Sequence, residues 1–140
     1  MKLISSAMVQ KLVRAACRAR THSYSPYSRY RVGASVLAQS GKIYLGCNVE
    51  NASLGLSCCA ERSAIFNAVS NGEKKFLALA VAGKHASPCG ACRQVLLEFG
   101  PSLEVIAVHL DFRERPCNVQ RYRVRELLPK AFTDFQSEKE

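Results

Sequence analysis

No aspartate or glutamate occurs in the first 49 residues, which carry eight lysines and arginines. All eleven acids of the 140-residue chain lie in residues 50–140, against twelve basic residues, so the net charge of +9 is concentrated in the first third. No stretch there is a solid block of charge, which argues for the solvated face of a helix followed by a loop. An acid-free, arginine-containing start also fits a mitochondrial leader, and a basic surface also fits nucleic acid. Long apolar runs are missing too. None approaches the roughly 18 residues of a membrane-spanning helix, so no membrane partner is expected. Linkers, internal repeats and low-complexity segments are lacking. Residues 1–140 therefore read as one domain, with a core over about 8–132 and a polar tail at 133–140. A chain of this length buries a sizeable core without disulfide staples. An even set of cysteines is absent as well. Seven is an odd number, which counts against a closed disulfide framework and points to a reducing compartment, the cytoplasm.

What is present is a regular alternation of elements. Met8, Leu12, Ala15 and Ala16 recur at helical spacing, with Lys11, Arg14 and Arg18 off that stripe, so residues 7–19 are expected to be helical, capped by Ser5 or Ser6. A loop punctuated by Pro26 follows. Strands are expected over 32–38 and 43–48, joined by a turn at Gln39-Ser40-Gly41-Lys42. A helix from about Cys59 to Asn71 would bury Ala60, Ala64, Ile65, Ala68 and Val69, with Gly72 ending it. The apolar run of Phe76 to Gly83 fits a strand covered on both faces. A third helix from Cys89 to about Phe99, a strand over 103–109, an edge strand over 121–124 and a packing segment over 127–132 complete the order. This alternation predicts an α/β fold, a three-layer α/β/α sandwich around a five-stranded mixed sheet. The link from Leu110 to Gln120 is too short for a helical crossover, so the last two strands should be antiparallel.

Two cysteine clusters stand out, Cys59-Ala60-Glu61-Arg62 and Pro88-Cys89-Gly90-Ala91-Cys92-Arg93. Cys89 and Cys92 share a helix face at its opening, so both sulfurs can reach one ion. Cys59 opens another helix, and the partial positive charge of helix N-termini favours thiolate. Three thiols make an incomplete tetrahedron, and an open fourth position marks a catalytic rather than a structural metal site. Arg62 and Arg93 are placed to offset the thiolate charge by hydrogen bonding to sulfur. Glu61 is the candidate for moving a proton at such a site. The plainer alternatives are buried structural cysteines and a first-turn glutamate favoured by the helix dipole. His85 as a fourth ligand would close the site. Cys58 competes with Cys59 for the first position, and Cys47 and Cys117 read as packing residues.

At these residues the chain resembles a known family. The acid two residues after a ligand, followed by P-C-x-x-C, is the pattern of zinc nucleobase deaminases, and it selects Cys59 over Cys58. From Met8 to Phe132 the chain is similar to cytidine deaminases of the short, homotetrameric type that act on free nucleosides. The landmarks are Tyr24-Ser25-Pro26-Tyr27-Ser28, Val32-Gly33-Ala34, Gly46-Cys47-Asn48-Val49-Glu50-Asn51-Ala52, the two cysteine clusters through Gln94, and Glu126-Leu127-Leu128-Pro129. The resemblance implies one Zn²⁺ per chain on Cys59, Cys89 and Cys92, with Glu61 carrying the proton. It implies that Asn48 and Glu50 grip the ribose hydroxyls and that the Ala60 N–H contacts the pyrimidine 2-oxo group. Tyr30 would stack on the base, and Phe132 would reach a neighbouring subunit's site. The implied reaction is hydrolysis of cytidine and 2′-deoxycytidine to the uridine products and ammonia, a step of pyrimidine salvage. The implied partners are a free nucleoside and three further copies of the chain, not nucleic acid. Tyr30 replaces the usual phenylalanine, Leu54 a frequent tyrosine, and Arg31 a smaller or neutral residue. A nucleic-acid-editing deaminase, a deaminase of another small molecule and a structural zinc module are the competing readings.

Overall fold

The computed structural model describes residues 3–133. The expected tail therefore lies outside the described residues from position 134 onward.

Helix α1 spans Ser6–Arg20, and the Ser5 hydroxyl accepts from the Met8 N–H at 3.2 Å to cap it. Strands β1 (Gly33–Ala38) and β2 (Ile43–Cys47) form the first hairpin, and a 3₁₀ turn at Leu54–Leu56 leads to α2 (Ala60–Ser70). Strand β3 (Phe76–Gly83), α3 (Gly90–Glu98) and β4 (Glu104–Leu110) make a parallel crossover; β5 (Pro116–Arg123) and α4 (Val124–Leu127) close the order. The sheet runs β2-β1-β3-β4-β5, with β3 and β4 parallel and every other neighbour antiparallel. This is the mixed five-stranded sheet expected, with the last two strands antiparallel.

Alternation along the strands builds two cores. Leu37, Ala78, Ala80, Ala82, Ile106 and Val108 meet Leu12 and Ala16 of α1 on one face. Val36, Leu79, Val81, Val105 and Ala107 meet Ala64, Ile65, Ala68 and Leu96 on the other. Both faces of β3 are thus covered, as its unbroken apolar run requires. Lys11, Arg14 and Arg18 of α1 are exposed, so this part of the basic first third is a solvated helix face. Arg20 is different. It is buried, donates from Nε to the Arg31 carbonyl at 2.9 Å and pairs with Glu114 at 3.4 Å.

Two strand glycines set how closely the helices lie. A Cβ at Gly33 would stand 2.1 Å from the Ala16 carbonyl oxygen, and one at Gly46 would stand 2.2 Å from the Ala64 nitrogen. Helix backbone rests directly on strand backbone at both places.

Three expectations need correction. The edge strand is twice as long as its alternating charges suggested. Its first half, Pro116 to Gln120, is exposed and polar in tone, and so carries no burial pattern to read. The connection before it is a tight turn in which Asp111 Oδ1 accepts from the Arg113 and Arg115 N–H groups at 2.8 and 2.9 Å. Val124 belongs to α4, not to the strand, and α4 ends at Leu127. Val69 is 40% exposed, because the buried stripe of α2 ends at Ala68 and the next residue turns about 100° outward. No helix of the described residues is long and apolar enough to cross a membrane.

The Gly46 contact yields a stability test. Gly46→Ala drives a methyl group into the α2 backbone and should lower stability by about 1–3 kcal/mol, read as a lower denaturant midpoint. An unchanged midpoint would mean that α2 can retreat from the sheet without cost.

Candidate metal centre and substrate cleft

Helices α2 and α3 both begin at one end of the sheet, and a cysteine occupies the N-cap of each. Cys59 caps α2 and Cys89 caps α3, both in extended backbone with no side-chain hydrogen bond to the helix amides. Their sulfurs therefore remain available. Cys92, one turn into α3, is fully buried and completes the group. The three sulfurs lie within 4.8 Å of one another. Cys59 and Cys89 are 3.8 Å apart at sulfur. Two thiolates at zinc–sulfur distances of about 2.3 Å in a tetrahedron lie ~3.8 Å apart, so this spacing fits one zinc ion.

The charge environment fits as well. Arg62 Nη2 donates to Cys59 Sγ at 3.5 Å. Hydrogen bonds from Cys92, then from Arg62 and Cys89, hold the Cys59 thiol down at about 5 against the opposing effect of burial. Cys92, as the donor to Cys59, is pushed upward, with burial adding to the effect. Arg62 is held more firmly protonated by its contact with Cys59. Its Nε is buried with no hydrogen-bond partner among the described residues. A guanidinium kept at this cost beside sulfur balances the negative charge that three thiolates and one divalent ion leave.

Arg93 does not share that duty. Its Nε donates to the Pro88 carbonyl and its Nη1 to the Leu127 carbonyl, both at 2.7 Å, and its Nη2 to Ser87 Oγ at 3.1 Å. The expectation that it contacts sulfur is corrected: Arg93 braces the loop before Cys89 against α4. Cys58 lies outside the sulfur group, with Ser63 Oγ at 3.7 Å from its own sulfur. His85 is outside it too, so among the described residues the group has three members and no fourth protein ligand.

Glu61 is 4% exposed and follows Cys59 by two residues on the first turn of α2. Cys92 Sγ lies 3.8 Å from its Oε2. Burial lifts its carboxyl to about 7, with the nearby Cys59 charge adding to the rise. A carboxyl poised near neutrality can both take and return a proton.

These residues open onto a cleft of about 280 Å³. Cys59, Ala60, Glu61 and Cys89 line it, together with Tyr30, Asn48 and Glu50. The loop before β1 holds the last two. Asn48 Nδ2 donates to the Tyr30 carbonyl at 2.6 Å, while its Oδ1 accepts from the Val32 N–H at 3.0 Å and from Ser23 Oγ. Glu50 Oε1 accepts from the Tyr27 and Ser28 N–H groups at 3.0 and 3.1 Å, and Oε2 accepts from Ser28 Oγ. The Ser28 hydrogen bonds keep the Glu50 carboxyl below the ordinary range. Ser23 and Ser28 are therefore part of the site. Ser28 ends the Tyr24-to-Ser28 stretch singled out in the sequence and Ser23 lies just before it, but nothing in that pattern says which side chain a serine will hold. Phe132 is not in this cleft. It is 61% exposed and lines a separate groove with Gln94, Leu97 and Pro101, where its carbonyl accepts from Gln94 Nε2 at 2.9 Å.

The sulfur group predicts a contrast between neighbouring cysteines. Cys89→Ala should lose bound zinc and thermal stability together, since metal binding and folding are coupled. Cys58→Ala should lose neither. Metal analysis showing zinc loss in Cys58→Ala and zinc retention in Cys89→Ala would overturn the assignment.

Comparison with known proteins agrees with the geometry. Residues 6–108 match the family model for the cytidine and deoxycytidylate deaminase zinc-binding region. The cytidine deaminase of Sporosarcina psychrophila is 44% identical over 129 residues, covering 89% of this chain and 91% of that one. The crystal structure of cytidine deaminase from Burkholderia pseudomallei matches with a TM-score of 0.82 at 42% identity, over 92% of this chain and 100% of that one. That of Mycobacterium tuberculosis matches with a TM-score of 0.74 at 42% identity, over 89% and 96%. A match of this extent, on a fold that gathers the three thiols beside Glu61, means that the chain belongs to the cytidine and deoxycytidylate deaminase zinc-binding family.

Proposed function

We propose that this protein hydrolyses cytidine and 2′-deoxycytidine to uridine and 2′-deoxyuridine with release of ammonia. The observation that carries the reading is the buried carboxyl of Glu61 beside three thiols grouped closely enough to hold one metal ion, next to a cleft with an unspent amide donor and an ionised carboxylate. Cys59, Cys89 and Cys92 hold the zinc. When bound, zinc supplies a Lewis acid that makes water nucleophilic near neutral pH. Glu61 takes one proton from the attacking water and delivers it to ring N3; once the C4–O bond has formed, it takes the second proton from that oxygen and passes it to the amino group, which leaves C4 as ammonia. The Ala60 N–H, at the first turn of α2, donates to the 2-oxo group of the pyrimidine.

Hydrogen-bond accounting explains the sugar side. The Asn48 amide has two acceptor sites, both used by Val32 and Ser23, and two donor hydrogens, one used by Tyr30. One N–H is left to offer. Glu50 has accepted three hydrogen bonds and retains capacity for about one more. One donor and one acceptor suit a pair of ribose hydroxyls. The same fixed negative charge disfavours a phosphate close by, so nucleosides should be preferred to nucleotides and to single-stranded nucleic acid.

The assembly belongs to the same proposal. Leu54, Leu56, Phe66 and Phe132 are large apolar side chains left exposed on a single chain, and covering them with neighbouring copies would remove apolar surface from water. We place the protein as a homotetramer in which Phe132 reaches a neighbour's cleft. All seven cysteines are free thiols, which suits a reducing, cytoplasmic setting.

Ultraviolet absorbance during incubation with cytidine, 2′-deoxycytidine, their monophosphates and a short single strand tests the substrate class. Turnover of the two nucleosides is expected; preference for the monophosphates or the strand would overturn the reading. Glu61→Ala should keep zinc and lose about 10²–10⁴-fold in kcat, and a variant retaining more than ~10% of kcat would remove Glu61 from the proton-transfer role.

Truncation after Pro129 tests the assembly. The shortened protein should keep zinc but bind cytidine poorly. Mixing it with Glu61→Ala chains should restore part of the activity, because mixed tetramers pair an intact Glu61 with a neighbour's intact Phe132. A light-scattering mass of a single chain for active protein, or no recovery on mixing, would refute shared sites.

A further inference from the structure

Tyr30 makes more connections than a stacking ring needs. Its hydroxyl donates to the His85 carbonyl at 3.0 Å and accepts from the His85 N–H at 2.8 Å. Its own N–H donates to Ser28 Oγ at 3.0 Å, the hydroxyl that holds Glu50. Its carbonyl accepts from Asn48 Nδ2 at 2.6 Å. A single residue is thereby bonded to Asn48 directly, to Glu50 through the Ser28 hydroxyl, and to the segment that leads into Cys89. That segment is secured at its other end by Arg93, which holds Ser87 Oγ and the Pro88 carbonyl. Between these anchors the Ala86 N–H meets His109 Nδ1 only at 3.4 Å. Residues 84–87 also form part of the cleft wall through His85, Ala86 and Ser87.

We propose that Tyr30 is a positioning residue whose hydroxyl locks the β3–α3 loop to the loop before β1, so that the base slot is pre-shaped before the nucleoside arrives. The inference rests on the cytidine deaminase reading for its substrate and adds a determinant of affinity and specificity to that site. The physical argument is preorganisation. Both His85 bonds are to backbone atoms, so they fix the path of the loop regardless of which side chain stands at position 85. A phenylalanine at position 30 would keep the ring and its face toward the cleft but release both bonds. The His85 N–H would then turn to water and its C=O would keep only the Ser87 N–H at 3.0 Å, leaving residues 84–87 anchored by the buried Ala86 and by Arg93 but no longer pinned to the loop before β1. Ordering that wall would become part of the cost of binding. The thiols and Glu61 would be untouched, because Cys59 and Glu61 belong to α2 and Cys89 keeps the Arg93 brace. A rigid wall also discriminates against a larger base better than one that gives way.

Tyr30→Phe tests the lock, with zinc content and denaturation midpoint measured first. Zinc per chain should be unchanged. KM for cytidine should rise about 3–10-fold, the effect of losing ordinary net hydrogen bonding, while kcat stays within ~2-fold, the signature of lost binding rather than lost chemistry. The preference for cytidine over 5-methylcytidine should narrow. Amide hydrogen exchange over residues 84–87 should accelerate, a local opening that needs no turnover to observe. Tyr30→Leu, which loses ring and hydroxyl together, should show the same faster exchange and a larger loss in kcat/KM. Unchanged exchange over 84–87 in Tyr30→Phe would overturn the lock whatever the substrate is. An unchanged KM, or a rise in KM matched by loss of zinc, would overturn its role in binding. Failure of the wild-type protein to deaminate cytidine would instead refute the substrate reading, and the exchange comparison would still decide whether the lock exists.

Discussion

The contact of α2 with β2 at Gly46 is the constraint on which the rest of the site depends. No side chain fits between Gly46 and the Ala60–Ala64 turn, so helix backbone lies on strand backbone. That contact falls on the first turn of α2, where Cys59, Ala60, Glu61 and Arg62 are found. A sulfur, an amide, a carboxyl and a guanidinium are therefore placed by a backbone contact rather than by their own flexible side chains. The same device recurs at Gly33 under α1, which fixes the opposite layer. Rigid elements hold reacting groups more closely than loops do.

Burial and charge then divide the labour among chemically similar groups. Glu61 and Glu50 are both carboxylates of one cleft, yet burial lifts the first to about 7 while Ser28 hydrogen bonds hold the second below its ordinary range. One is suited to carry a proton and the other to remain a fixed acceptor. Opposed environments of this kind are how acid–base roles are assigned near neutral pH. The arginines divide in the same way. Arg62 faces sulfur, and Arg93 spends its nitrogens on carbonyls and a hydroxyl that shape the approach to Cys89.

The loop before β1 shows how little free hydrogen-bonding capacity the cleft retains. Most of the donors and acceptors of Asn48 and Glu50 are committed within the chain. What remains is one donor and about one acceptor, and that remainder defines the recognition chemistry more narrowly than the residue types do. Tyr30 is the junction of this network and joins it to the metal side.

The layered α/β architecture, the mixed sheet with its antiparallel last pair, and the three thiols with Glu61 were legible in the sequence. Each left a local signature: apolar periodicity of a helix or strand, cysteines three apart at a helix start, an acid two residues after a ligand. Lys11, Arg14 and Arg18 could also be read as a solvated face, because their spacing keeps them off the Leu12 stripe. Other features had no local signature. The first half of β5 is an exposed edge without alternation, and Val69 sits one step beyond a stripe whose end depends on where the sheet stops. Arg62 follows its N-cap cysteine by three residues and Arg93 by four, and only Arg62 finds sulfur, because α4 brings the Leu127 carbonyl to Arg93. Ser23, Ser28 and Tyr30 acquire their partners across separations of 18 to 55 residues. Sequence by itself thus determined which elements form and which thiols and acid stand at the helix starts, because periodicity and spacing act over a few positions. Only the tertiary structure decided which side chains spend their hydrogen bonds on one another and which keep one for a ligand, because that choice is made between segments brought together by the sheet.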